Sequence, residues 1–160
     1  MIVNQKQFFE LIDKILKPHN YIRRRETWYL HTPECICFFT IGKSFYGGSY
    51  GEVFGCFLKE VKVLTHNLEF PDYNKSHLRI SISFFVDKEI VEKAFDLENH
   101  EFKNNEREEA IKCMIEQYVL PFLEGISNKE GLKKFIVKYP RLKNYMKLTL
   151  KEALQIPIED

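Results

Sequence analysis

The chain has 160 residues, 44% of them apolar and 14% aromatic, and its 24 Lys plus Arg against 23 Asp plus Glu leave a net charge of +1. Near neutrality gives no global field to steer a nucleic acid or an anionic membrane. With 14 Phe against seven Gly and six Pro, collagen-like, low-complexity and disordered chains are excluded.

A chain of this length buries roughly 70% of the surface it exposes when unfolded, enough for one core. Its start lacks the basic, apolar and small-residue succession of a secretory signal. The longest apolar stretch, Cys35 to Phe39 with Ile41 beyond, falls far short of the ~20 residues that span a bilayer. A cytoplasmic protein is expected, with no membrane partner and with reduced core thiols at Cys35, Cys37, Cys56 and Cys113.

Asn4 is placed to cap a first helix, Gln7 to complete a reciprocal capping box and Val3 to staple onto Phe8. Phe8, Leu11, Ile12, Ile15 and Leu16 repeat at three and four residues, which predicts one apolar face ending near Lys17, before Pro18. Asn20 tolerates left-handed backbone and can reverse the chain.

Between 21 and 86 the texture changes to β-branched and aromatic runs, which predict strands over 21–30, 35–43, 51–63 and 78–86. The connections at 32–34 and 45–49 are short enough for a meander of hairpins. In the last strand Leu78, Ile80, Ile82 and Phe84 alternate with Arg79, Ser81 and Ser83, so one sheet face should be wet. Residues 64–77 read as a longer loop.

Helical spacing returns weakly at Ile90, Val91 and Phe95, then strongly from Asn105, which forms a capping-box spacing with Glu108. Ile111, Met114, Ile115, Tyr118 and Val119 share a face, and Pro121 should kink that helix or open a new turn. Ser127 with Glu130 is expected to open a helix bearing Leu132, Phe135, Ile136 and Tyr139, and Thr149 with Glu152 a short last one. There is no internal repeat. One helix, then strands, then helices is the order of a single α+β domain, an antiparallel meander of about four to five strands packed against C-terminal helices.

Three motifs imitate chemistry. The run from Tyr46 through Gly48, Gly51 and Val53 to Phe54 approaches the glycine-rich loop of protein kinases. Tyr46 replaces its first glycine, and neither H-R-D nor D-F-G occurs, so a glycine-bearing hairpin is expected. Gly42-Lys43-Ser44 ends like a P-loop, but Cys37 stands where its first glycine belongs and no helix follows. His31, Cys35 and Cys37 lack the spacer and the second pair of a zinc site. No metal, cofactor or catalytic set is assigned.

Charge is uneven. Residues 68–109 hold six basic residues against eleven acidic, while 127–151 hold eight basic residues against Glu130 alone. The second segment has the composition of a nucleic-acid contact, with Lys133, Lys134 and Lys138 as its basic face, although Phe135, Tyr139 and Tyr145 fall on the apolar period. In a single strand over 21–30, Arg23 and Arg25 would share one face and Arg24, Glu26 and Trp28 the other. Such arginines either contact an anion or partner or defend a solvated edge.

Three stretches together resemble a bacterial family, the domain of unknown function 4304. Phe9-Glu10-Leu11-Ile12-Asp13-Lys14-Ile15-Leu16-Lys17-Pro18, leading to Tyr21 and Trp28-Tyr29, resembles its opening helix, turn and basic-aromatic strand. Phe38-Phe39-Thr40-Ile41-Gly42-Lys43-Ser44 resembles its strand ending in Gln-Lys-Ser, with Gly42 in place of the Gln. Tyr118-Val119-Leu120-Pro121-Phe122-Leu123-Glu124 resembles its helix that closes on a Tyr, a Leu-Pro pair, an aromatic and an acid. The resemblance implies an α+β domain over 1–137 followed by a helical extension over 138–160. It brings no activity or cofactor, and only Lys43 and Ser44 carry over.

The leading expectation is a non-enzymatic module that binds a protein partner, as an immunity or accessory protein does. Nucleic-acid binding through 127–151 is the second reading. An enzyme whose residues converge only in space is the third, with Lys43, Ser44, Tyr46, His77 and Arg79 at or near strand ends. Arg23 and Arg25 join these five as the candidate contact surface.

Overall fold

The computed structural model describes residues 4–43, 49–103 and 105–157. Helix α1, Gln5–Leu16, starts where the Asn4 side chain accepts the Gln7 N–H at 2.9 Å, and it buries Phe8, Ile12, Ile15 and Leu16. Val3 lies outside the described residues. A single 3-10 turn over Lys17–His19 accommodates Pro18, and Asn20 reverses the chain at φ 70°.

Five antiparallel strands follow in sequence order: β1 Ile22–Arg24, β2 Thr27–His31, β3 Cys35–Lys43, β4 Tyr50–Leu58 and β5 Leu78–Ile80. The stretch 21–30 is a hairpin rather than one strand. Arg24 pairs with Thr27 across a turn in which Arg25 takes φ 57°. That turn resets the alternation, so Arg23 faces Trp28 while the Arg24 guanidinium lies 4.3 Å from the Phe70 ring centre on the other side.

Strand β4 begins at Tyr50 and stops at Leu58 instead of running to 63, because the Val61 N–H folds back onto the Leu58 carbonyl at 3.0 Å. The final strand is also shorter than its alternation predicts. After Ile80 the chain enters a 3-10 turn over Ile82–Phe84. There the Ile82 N–H donates to Glu52 Oε1 at 2.8 Å, and Phe84 and Phe85 both pack toward Tyr139. A continued strand would send those two rings to opposite faces.

The sheet face away from the helices is wet at β5, where Arg79 is exposed between buried Leu78 and Ile80, but it is covered over β2, β3 and β4. On one side Trp28, Phe39, Phe54, Cys56, Leu78 and Ile80 enter the main core under the helices. On the other, Tyr29, Ile36, Phe38 and Phe57 form a second apolar cluster, covered by Val63, Phe70 and Tyr73 of the connection. The Tyr29 hydroxyl fixes that cover by donating to the Pro71 carbonyl at 2.8 Å.

The helices are α2 Lys88–Phe95, α3 Glu106–Met114, α4 Leu120–Gly125, α5 Lys129–Lys138 and α6 Leu148–Ala153. Asp87 caps α2 through the Glu89 N–H at 2.9 Å. Buried Arg107 of α3 donates to the carbonyls of Lys93, Ala94, Asp96 and Asn99, closing the C-terminal end of α2. Asn105 makes no capping bond through its side chain; Glu106 instead accepts the Lys103 N–H at 3.1 Å.

Between α3 and α4 the helix widens to a π-turn over Ile115–Val119, where the Leu120 N–H reaches back to the Ile115 carbonyl. That displacement lets Pro121, which has no N–H to donate, occupy the first turn of α4. Asn128 rather than Ser127 caps α5, accepting the Gly131 N–H at 2.7 Å, while the Ser127 hydroxyl is spent on the Glu124 carbonyl. Helix α6 begins before Thr149 and has no side-chain cap.

Residues beyond 138 pack into the same core. Leu142, Leu150 and Leu154 are buried, and Met146 bridges to Leu78 beside β5. Among the described residues no helix is long and apolar enough to cross a membrane. Cys35, Cys37 and Cys56 are buried free thiols, but Cys113 is exposed on α3 and is not a core residue. Burial pushes the Cys37 thiol up to about 12, which disfavours the thiolate a metal would need.

Candidate partner-binding groove and carboxylate cleft

Two concavities stand on opposite sides of β4. The first follows from the turn that ends it. After Leu58 the chain runs over the second apolar cluster and is tied down where Asn67 Oδ1 accepts the Glu69 and Phe70 N–H groups at 3.1 and 3.0 Å. His31 Nε2 lies 2.6 Å from the Glu69 carbonyl oxygen. The fixed segment leaves an apolar groove of about 380 Å³ lined by Ile36, Phe57, Leu58, Val61, Val63 and Pro71.

Leu64, 90% exposed, and Leu68, 71% exposed, stand on that groove, and its only charged lining groups are Lys59 and Lys62. Lys59 Nζ donates to the Thr32 carbonyl at 2.6 Å, while Lys62 is exposed. Positive charge continues beyond the groove. Lys147 Nζ donates to the Lys75 carbonyl at 3.1 Å, and its pKa is lowered first by burial and then by Arg79 and Lys75 nearby.

His77 and Arg79, singled out in the sequence, belong to this neighbourhood. His77 is buried, and its Nδ1 accepts the Leu58 N–H at 2.9 Å. Burial lowers its pKa, so the ring is a neutral strut between β4 and the start of β5. Arg79 is exposed, with its guanidinium 3.5 Å from the Tyr73 carbonyl and from Asn74 Oδ1. The register puts Lys43 opposite Tyr50, at the other end of the sheet from Leu58 and His77. Ser44 and Tyr46 lie outside the described residues.

Arg23 and Arg25 are not paired on one surface. Arg23 is held by α1, its Nε 3.7 Å from Asp13 Oδ1 and its guanidinium 5.6 Å from the Phe9 ring centre. Arg25 forms the exposed hairpin turn. Lys133, Lys134 and Lys138 are solvent-exposed on α5, whereas Phe135 and Tyr139 stack on each other and pack against the core, as their spacing predicts.

The second concavity is a cleft of about 610 Å³ between the start of β4, the 81–84 turn and α2. Glu52, only 7% exposed, lines it and is the one buried carboxylate among the described residues. Burial, opposed by the Ile82 N–H and aided by Glu92, pushes its carboxyl up to about 7. Ser81 and Ser83, whose hydroxyls hydrogen-bond each other, line the same cleft.

Sequence reasoning passed over Glu52 because it sat inside the loop read as a kinase imitation. The signal was its parity, since Glu52 alternates in phase with Phe54, Cys56 and Leu58, which face the core. A carboxylate on that phase must be buried or at a cleft.

The model of a family described as a domain of unknown function, DUF4304, matches residues 12–125, and the chain belongs to that family. No curated protein and no solved structure matches the chain. Groove and cleft both fall inside the matched span, and the basic helix α5 falls beyond it.

Proposed function

We propose that this member of the family is a non-enzymatic binding module that holds a protein partner in the apolar groove after β4. The observation that carries this reading is the exposure of Leu64 and Leu68 beside a preformed apolar groove. Two such leucines on a segment anchored by side-chain hydrogen bonds form a contiguous apolar patch, the type of surface that soluble chains keep for a partner. With Lys59 and Lys62 as its only charges, the groove suits a segment in which a large apolar side chain is flanked by carboxylates.

The test is a quantitative pull-down from the source cells, with and without nuclease. A stoichiometric protein should survive nuclease and be lost, at least tenfold, from Leu64→Ser/Leu68→Ser. Lys62→Glu should weaken its capture, while Lys133→Gln/Lys134→Gln/Lys138→Gln should leave it unchanged. Equal capture by the leucine variant would remove the groove from the binding surface. Recovery that nuclease abolishes would transfer the function to the basic face of α5, whose lysines are free of carboxylate neighbours in their own helix except Glu130.

A further inference from the structure

We propose that the cleft between β4 and α2 is a second, independent site, which binds an organic cation through its primary ammonium or guanidinium group, with the Glu52 carboxylate as counter-charge. The groove and its protein partner play no part in this inference, so either can fail alone.

Glu52 is buried, yet none of the described residues supplies a cation to it. A buried carboxylate without a counter-charge is costly, because the low-dielectric surroundings do not replace its hydration. The hydrogen bond from Ile82 N–H at 2.8 Å occupies Oε1 and could be received equally by a neutral amide oxygen. What the carboxylate adds to that bond is charge, and it lines a cleft large enough for a small molecule.

The remaining charges set the sign of the ligand. Helix α2 contributes Lys88, Glu89, Glu92 and Lys93, and Asp96 follows it, so with Glu52 the acids outnumber the bases four to two. Both bases are already engaged, Lys88 with Glu92 at 3.7 Å and Lys93 with Glu101 at 3.1 Å. Ser81 and Ser83 offer hydroxyl acceptors for the remaining N–H groups of an ammonium or guanidinium. Among the described residues of the lining, an anion would meet Glu52 and Glu92, and both lysines there are already paired with carboxylates.

Binding of a cation favours the charged form of Glu52 and releases its proton, so affinity depends on pH. No histidine or cysteine lines the cleft. With the free carboxyl titrating near 7, affinity should rise about tenfold from pH 6 to pH 8.

The experiment is calorimetric titration of the intact chain with putrescine, agmatine, spermidine and arginine amide, with succinate as the anionic control. At least one cation should bind and succinate should not. Glu52→Gln, which keeps an oxygen for the Ile82 N–H, should weaken binding at least tenfold at pH 8 and abolish the pH dependence. Ser83→Arg, which places a guanidinium on the cleft, should compete with the probe even if Glu52→Gln fails to fold. In the wild type, the Glu52 carboxyl resonance should titrate at lower pH when the cation is present. Failure of all four cations to bind, equal affinity in Glu52→Gln, or a flat pH profile would overturn the proposal.

Discussion

The indole Nε1 of Trp28 donates to Asp13 Oδ1 at 2.8 Å, tying the start of β2 to α1. Trp28 is fully buried and Asp13 also receives Arg23, so one carboxylate satisfies a core donor and anchors the edge strand. Asp13→Ala should cost about 1–3 kcal/mol, the penalty of an unpaired buried N–H. Asp13→Asn keeps an oxygen acceptor and should cost less. Urea unfolding followed by Trp28 fluorescence measures both, and equal losses would show that charge rather than the hydrogen bond matters.

That contact also marks how far the sequence could be read. The spacing of Phe8, Ile12 and Ile15 reveals the helix, and the aromatic runs reveal β2, β3 and β4, because period alone reports which face is buried. The β1–β2 hairpin escaped because an arginine occupies a left-handed position usually signalled by Gly or Asn. The 3-10 turn after β5 escaped because residues 78–84 alternate as a strand would, and what ends the strand is Glu52, thirty residues away. The cover on the second sheet face has no strand or helix period, since residues 59–77 are irregular apart from one 3-10 turn over Tyr73–Lys75 and are held by Tyr29, His31 and Asn67. Tertiary hydrogen bonds of this kind leave no local pattern.

Arg25 stores strain that a substitution can release. At φ 57° its Cβ crowds the backbone, a cost of roughly 1–2 kcal/mol that glycine avoids. Glycine gives part of that back through the greater entropy of the unfolded chain, so Arg25→Gly should stabilise the protein by about 0.5–1 kcal/mol. Arg25→Ala, which keeps the Cβ, should be neutral. Thermal unfolding of the two variants checks this, and a gain for alanine equal to that for glycine would assign the effect to lost charge.

The approach of α4 to α5 depends on Gly125. A Cβ built there would stand 1.8 Å from the Phe135 ring, which is wedged between Phe122 and Tyr139 and has little room to withdraw. Gly125→Ala should therefore destabilise by about 1–3 kcal/mol as an overpacked core does. Shrinking the obstacle with Phe135→Leu should recover part of the loss, giving a double mutant less unstable than the sum of its singles. Additive losses in denaturant unfolding would mean that the strain is relieved elsewhere.

The titration of Glu52 should be visible in stability without any ligand. Its carboxyl is raised from 4.5 to about 7 in the folded chain, so between those values the folded state keeps a proton that the unfolded state has released. The contribution is therefore fully present below pH 4.5 and is lost as pH rises through 7. His77 works the other way. Its pKa is lowered by burial, so its contribution is present above 6.5 and fades as pH falls below that value. Comparing wild type with Glu52→Gln cancels the histidine. From pH 5 to pH 8 wild type should lose about 2 kcal/mol relative to the variant, measured by urea unfolding at each pH. Parallel stability profiles would mean that the folded carboxylate is already compensated, and with it would go the reason for Glu52 to need a cation from outside.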